Sequence, residues 1–322
     1  MKNISNSLLF IFGLMVLIVA CSKKEIITPV SKEIIHFDEY HGQKVSDPYR
    51  WLENFTDDEV REWVRLQNNY SQQFLKNRFQ KSIKQDLELI WTSEYLSTPF
   101  KVGEKIFYYF NTGKLEQNRL MIRDCESCPE RILIDPNDFS NDGTVSLASV
   151  SVSPNAEWIA FAKSDGGSDW RTWKIMNIAS GEILDDEIKW SKFSSAEWSP
   201  DSKGFFYRKY LKPDGEELLD LNSSPKLMFH FIDTDQINDE IIVWDENDPL
   251  LSRSIEVSDD GQYKILFTEK GTDDRNLISV SRYDDEEFIS IIDEFIASYT
   301  FIDSDDNYLW FLTDYMAPNG KV

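Results

Sequence analysis

The spacing of hydrophobic positions changes twice along the chain. Residues 8–20 are apolar except for Gly13 and lie behind a single early cation, Lys2. Such a run is short for a bilayer span and suits the apolar region of a signal peptide. Between residues 57 and 79, Val60, Trp63, Val64, Tyr70 and Phe74 recur near helical spacing, which predicts one amphipathic helix. Asp47-Pro48 reads as a helix start, and Thr56 with Glu59 three positions on reads as a capping box. From about Leu96 onward, short aromatic and β-branched runs alternate with Gly, Asp, Asn and Pro turns, which predicts strands.

A single unit recurs within this strand-rich region. It reads Ser151-Val152-Ser153-Pro154-Asn155-Ala156-Glu157-Trp158, then Ala196-Glu197-Trp198-Ser199-Pro200-Asp201-Ser202-Lys203-Gly204-Phe205. It returns as Glu256-Val257-Ser258-Asp259-Asp260-Gly261-Gln262-Tyr263. A weaker copy runs from Phe301 through Asp305 to Phe311. Aligning Pro154, Pro200, Asp259 and Asp305 gives spacings of 46, 59 and 46 residues. Each copy is a strand, a tight turn and a second strand. A hairpin repeating at this period predicts β-propeller blades, because a four-stranded blade buries its faces only against its neighbours. A plain β-sandwich does not repeat one turn at this period. The expected fold class is therefore mainly β, a partial propeller of about four or five blades, at roughly 50 residues per blade, behind a helical N-terminal arm.

Composition narrows the chemistry. The net charge of −23 repels phosphate backbones and anionic lipid, so nucleic acid is excluded as a partner and membrane contact is expected only through a lipid anchor. That anchor is expected at Cys21. The run Ile18-Val19-Ala20-Cys21 has the form of a bacterial lipobox, with an ordinary signal peptide as the alternative. Ser22 after the cysteine favours the outer membrane, which puts the protein in a bacterial cell envelope. The other cysteines form Cys125-Glu126-Ser127-Cys128 between two predicted strands. A structural zinc needs four ligands and a thioredoxin-type site needs a helix start, so a small loop disulfide is expected. None of the thirteen glycines opens a G-x-S-x-G nucleophile elbow. His36, His41 and His230 are scattered and read as structural. No catalytic residue, cofactor or metal ligand is assigned.

The segment Tyr40-His41-Gly42-Gln43-Lys44-Val45-Ser46-Asp47-Pro48-Tyr49-Arg50-Trp51-Leu52-Glu53-Asn54 resembles the opening of the prolyl oligopeptidase family of serine peptidases. Leu133-Ile134-Asp135-Pro136-Asn137, Ser168-Asp169-Trp170 and Thr313-Asp314-Tyr315-Met316-Ala317-Pro318 resemble its blade motifs in order. The resemblance implies a seven-bladed propeller that caps an α/β-hydrolase domain. It also implies a Ser-Asp-His triad beyond the propeller, and short peptides cleaved after proline. The implied layout is a lipoprotein signal peptide at 1–21, a tether at 22–35, the helical arm of the hydrolase domain at 36–90 and an incomplete propeller at 91–322. These residues are then expected to be inactive alone, with short peptides and the hydrolase half as partners. A stand-alone lipoprotein using an open propeller as a binding module is the alternative.

Overall fold

The computed structural model describes residues 28–76, 78–213, 223–305 and 308–322. It divides into two compact units, Met1–Trp91 and Thr92–Val322.

The first unit opens with strands β1 (Phe37–Tyr40) and β2 (Gln43–Ser46), joined through His41 and Gly42. Both turn residues have positive φ, 51° and 78°, as a two-residue type I′ hairpin requires. Asp47-Pro48 does not start an α-helix. The Asp47 carboxylate accepts from the Tyr49 amide at 3.2 Å, and a single 3-10 turn follows at Arg50–Glu53. The capping box at Thr56 is also corrected. Helix α1 spans Asp58–Leu75 and its cap is Asp57, which accepts from the Glu59 amide at 2.7 Å. Thr56 instead donates to Asn54 at 2.8 Å. A carboxylate beside the positive end of the helix dipole displaces the neighbouring hydroxyl. The single helix expected over 57–79 ends at Leu75, and a second, α2, runs Arg78–Trp91.

Only Val60 of α1 is buried. The polar atoms of the arm's aromatic residues are met by residues 28–34, which read in the sequence as tether. Trp51 Nε1 donates to the Lys32 carbonyl at 2.9 Å and Trp63 Nε1 to Ser31 Oγ at 2.9 Å. Thr28 donates to the Tyr70 hydroxyl at 3.0 Å.

The second unit is a succession of antiparallel sheets. The first contains β3 (Tyr95–Leu96) and β4 (Phe100–Val102) on one edge of β5 (Lys105–Asn111), followed by β6 (Arg119–Arg123) and β7 (Glu130–Ile134). The second contains β8 (Val145–Val152), β9 (Trp158–Asp165), β10 (Arg171–Asn177) and β11 (Ile188–Ser191). The third contains β12 (Glu197–Trp198), β13 (Gly204–Lys209), β14 (Lys226–Phe231) and β15 (Glu240–Val243), and a single pairing of Ser191 in β11 with Lys209 in β13 makes it continuous with the second. The fourth contains β16 (Leu251–Val257), β17 (Tyr263–Lys270), β18 (Asn276–Arg282) and β19 (Ile289–Ile292). β20 (Tyr299–Ser304) and β21 (Leu309–Thr313) pair alone. These are four propeller blades and the first hairpin of a fifth.

Side chains alternate across a strand, so each central strand feeds two interfaces. Ile159 and Phe161 of β9 pack on Phe107, Leu120 and Ile122 of blade 1. Ala160 and Ala162, between them, pack with Trp173 on Trp198, Phe205 and Tyr207 of blade 3. Phe206 turns the other way, onto Ile255 and Leu266 of blade 4. Ile265 and Phe267 then face Tyr299, Phe301 and Phe311 of blade 5. Every apolar cluster is thus a seam between two blades. Polar side chains cross the same seams to reach backbone. Arg131 reaches the Ile178 carbonyl, Trp198 Nε1 the Ser151 carbonyl and Asn276 the Tyr299 carbonyl, at 2.8, 3.1 and 2.8 Å.

The repeated turn has one chemistry. Ser153, Ser199 and Ser258 are buried, and each donates its hydroxyl two residues on, to Asn155, Asp201 and Asp260, at 2.7, 2.7 and 2.6 Å. Each hydroxyl also accepts an amide from the returning strand, at Trp158, Gly204 and Tyr263. The next position is left-handed in all three, with φ of 55°, 60° and 70° at Ala156, Ser202 and Gly261. Gly204 begins the returning strand of blade 3, where a Cβ would stand 2.2 Å from the His230 carbonyl.

His230 is fully buried between two carboxylates. Its Nδ1 lies 2.7 Å from Asp239 and its Nε2 3.0 Å from Asp186, an acid on the neighbouring blade. Tyr207 donates to the other Asp239 oxygen at 2.5 Å, and the Asp233 amide donates to Asp186 at 2.8 Å. Burial alone would push the imidazole pKa down, but the hydrogen bonds that the ring donates to Asp186 and Asp239 outweigh it and hold the pKa up, at about 9. The imidazolium is therefore favoured in the folded state. Its contribution, on the order of 3 kcal/mol, is complete below the unfolded pKa and is lost as pH rises through the folded one. Thermal unfolding should show the melting temperature falling between about pH 6.5 and about pH 9. His230→Gln should melt lower and lose that slope; a parent protein with no slope in this window would contradict the assignment.

Candidate functional site

The seam between blades 3 and 4 holds a partly open cavity of about 310 Å³. Phe206 and Arg208 share one face of β13, so both point into this seam. Phe206 joins the apolar cluster, whereas the Arg208 guanidinium, almost fully buried, is consumed by fixed acceptors. Its Nε donates to the Arg253 carbonyl at 3.1 Å, one terminal nitrogen to the Phe193 carbonyl at 3.2 Å and the other to Glu269 at 3.1 Å. Ser252 donates to the same Glu269 oxygen at 3.2 Å. Arg253 also lines the cavity, and its guanidinium lies 3.5 Å from Asp245.

Glu197 also lines the cavity. β12 has only two residues, and their side chains serve opposite neighbours. Trp198 bonds blade 2, while Glu197 accepts the Val257 amide of blade 4 at 2.9 Å. Burial raises the Glu197 pKa to about 7; the Val257 hydrogen bond opposes this, and the charges of Glu256 and Asp259 add to it. Arg208, Arg253 and Glu269 thus line one space with Glu197, whose carboxyl pKa burial raises to about 7. Hydrogen-bond donors and acceptors of both kinds face one space, with Ser194 and Ser254 on its wall.

An aromatic group gathers residues of the β9–β10 turn, β11 and the end of β13. Trp170 meets Trp190 edge-on at 5.6 Å and Tyr210 at 6.3 Å. The Lys192 ammonium, itself buried, lies 3.7 Å from the centre of the Trp170 ring. Trp190 in β11 and Phe193 just beyond it have φ of 63° and 47°. Two bulky residues in the left-handed region within four positions mark stored backbone strain, which concentrates at functional segments. Phe193 is half exposed at the cavity mouth.

The arrangement can hold a polar chain segment; it contains no nucleophile with a base. Among the described residues no histidine bonds a serine, threonine or cysteine. His36 lies 3.2 Å from Asp38, His41 forms a hairpin turn, and His230 is enclosed by carboxylates. No metal-ligand group of three or more acidic, His or Cys side chains occurs among the described residues. Cys125 and Cys128 are joined in a disulfide at the tip of the β6–β7 hairpin. Cys21, with the rest of the expected signal peptide, lies outside the described residues. Sequence reading missed Arg208, Arg253, Glu197 and the carboxylates around His230. One signal was available: aligned on the repeated turn, Glu197 and Glu256 occupy the same inner-strand position, and burial raises both their pKa values.

Comparison with known proteins fits this architecture. The sequence model described as "Prolyl oligopeptidase, N-terminal beta-propeller domain" matches residues 29–322. The prolyl endopeptidase of Elizabethkingia miricola is 34% identical over 296 residues, covering 91% of this chain and 42% of that protein. The dual function macrocyclase-peptidase POPB of Galerina marginata is 27% identical over 327 residues, covering 91% of this chain and 45% of that protein. Among solved structures, one from a study of two prolyl endopeptidases and their inter-domain dynamics superposes with a TM-score of 0.84 at 27% identity, covering 92% of this chain and 44% of that one. Prolyl oligopeptidase B of Galerina marginata, bound to a 35mer hydrolysis and macrocyclization substrate, superposes at 0.82 and 25% identity, over 92% and 46%. The chain thus spans less than half the length of the relatives it matches. With its blade seams, its repeated turns and its family match from residue 29 to residue 322, it belongs to the prolyl oligopeptidase family and carries that family's N-terminal propeller domain.

Proposed function

We propose that this chain forms the propeller and N-terminal arm of a serine endopeptidase that cleaves short peptides after proline, and that the propeller governs which peptides reach the catalytic groups. The observation that carries this reading is the family match across residues 29–322. The seam cavity supports it: paired guanidinium and carboxyl groups suit the alternating amides and carbonyls of a peptide chain. No Ser-Asp-His set occurs among the described residues, so the chain alone should be inactive. Purified residues 1–322 should leave a chromogenic proline-amide substrate intact under conditions where the Elizabethkingia miricola relative turns it over. Measurable hydrolysis inhibited by a serine-directed reagent would refute this.

The hydrolase half is the proposed partner of the arm. Ile83, Leu87 and Trp91 stand four residues apart on α2 and are 58%, 53% and 84% exposed. An apolar stripe of this kind needs a cover or drives association. Replacing all three by serine should lower the binding of a hydrophobic dye to the chain and raise its solubility. Unchanged dye fluorescence would show that this stripe is not an open docking face.

The chain's proposed location is the bacterial cell envelope, held by lipid on Cys21. This rests on the lipobox-like run ending at that residue. Expression with a labelled fatty acid should mark the protein, and Cys21→Ser should remove the label; equal labelling of both would reject the anchor.

A further inference from the structure

The disulfide lies where the first blade grips the second. Cys125 and Cys128 close the connection between β6 and β7, with the Cys128 amide donating to the Cys125 carbonyl at 3.1 Å. Both cysteines are half-buried, while Glu126 and Ser127 between them are exposed, so a small dithiol has access from solvent. The residue before the bridge is Asp124. Its two oxygens accept from Nε and a terminal nitrogen of Arg131 at 3.0 and 3.1 Å. The same terminal nitrogen of Arg131 donates to the carbonyl of Ile178 in blade 2 at 2.8 Å. Ile178 is fully buried and belongs to the apolar cluster of that seam. A continuous path therefore runs from the bridge through Asp124 and Arg131 into the neighbouring blade.

We infer that Cys125–Cys128 is a thiol–disulfide exchange site whose redox state sets how firmly blade 1 holds blade 2. In the exchange, one thiolate of an external dithiol attacks a bridge sulfur and forms a mixed disulfide, releasing the other cysteine as thiolate. The second thiolate of the dithiol then closes its own ring and releases the remaining cysteine. Two electrons and two protons pass to the protein, and the dithiol leaves oxidised. The opened loop no longer fixes Asp124. Arg131 loses the carboxylate that orients it, and its bond to Ile178 becomes one of several rotamers. The apolar contacts of the seam persist, so the blades loosen without separating.

Hydrogen exchange of residues 1–322, followed by mass spectrometry with and without dithiothreitol, tests the inference. On reduction, amides of the 177–182 corner, including those of Ile178 and Gly181, should exchange about tenfold faster, the loss expected for one charge-assisted bond. Amides of the seam between blades 3 and 4 should not change. Cys125→Ser with Cys128→Ser should show the fast rate without reductant. Arg131→Gln keeps the bridge, and should show the fast rate in the oxidised protein and no further response to dithiothreitol. A response confined to residues 124–130, a continued response in Arg131→Gln, or two free thiols in the air-oxidised protein would each overturn the inference.

Discussion

Residues 92–322 depend on one constraint: a four-stranded sheet with two apolar faces must bury both at once. Period-two alternation meets it. Phe205 and Tyr207 fill the seam behind blade 3, and Phe206 fills the seam ahead. The side chains that differ from this apolar rule are the ones that tie blades together. Arg208, Trp198, Glu197 and His230 each find their partner on a neighbouring blade. An apolar seam alone tolerates sliding, because hydrophobic contact has little direction. A guanidinium or imidazolium aimed at fixed oxygens does have direction, so these groups set where one blade stops against the next.

The candidate site inherits this logic. Its charged groups are seam groups first, and the cavity is the space left where the seam between blades 3 and 4 fails to close over them. That explains why most of its cations are already bonded, and why its one carboxyl with a near-neutral pKa is also a structural stitch.

The strand order and the blade period were legible in the sequence because the turn that generates them is local. Ser, two residues to Asx, then a left-handed residue is a pattern that a reader can align without knowing the fold. The aromatic alternation was legible for the same reason. The seam partners were not, because each pair is separated by about one blade. Trp198 and Ser151 are 47 residues apart, His230 and Asp186 44, and Arg208 and Glu269 61. Only after the period is known does a partner one period away become a sensible search. The errors in the arm are of another kind. Thr56 and Asp57 are adjacent candidates for one cap, and the choice rests on a charge difference that the capping pattern ignores. The break after Leu75 carries neither Gly nor Pro, and its one local signal is Asn77, a weaker helix stop than either.

The one-directional chain of seams has a consequence for biosynthesis. A ribosome delivers the blades in order, and each finished blade presents a ready apolar wall to the next. Phe301 and Phe311 of the last hairpin lean back onto blade 4, while Trp310 and Leu312 on the opposite side remain exposed. Folding can therefore follow translation one seam at a time. A chaperone attending this chain would have to shield the newest blade, moving its protection forward as synthesis proceeds.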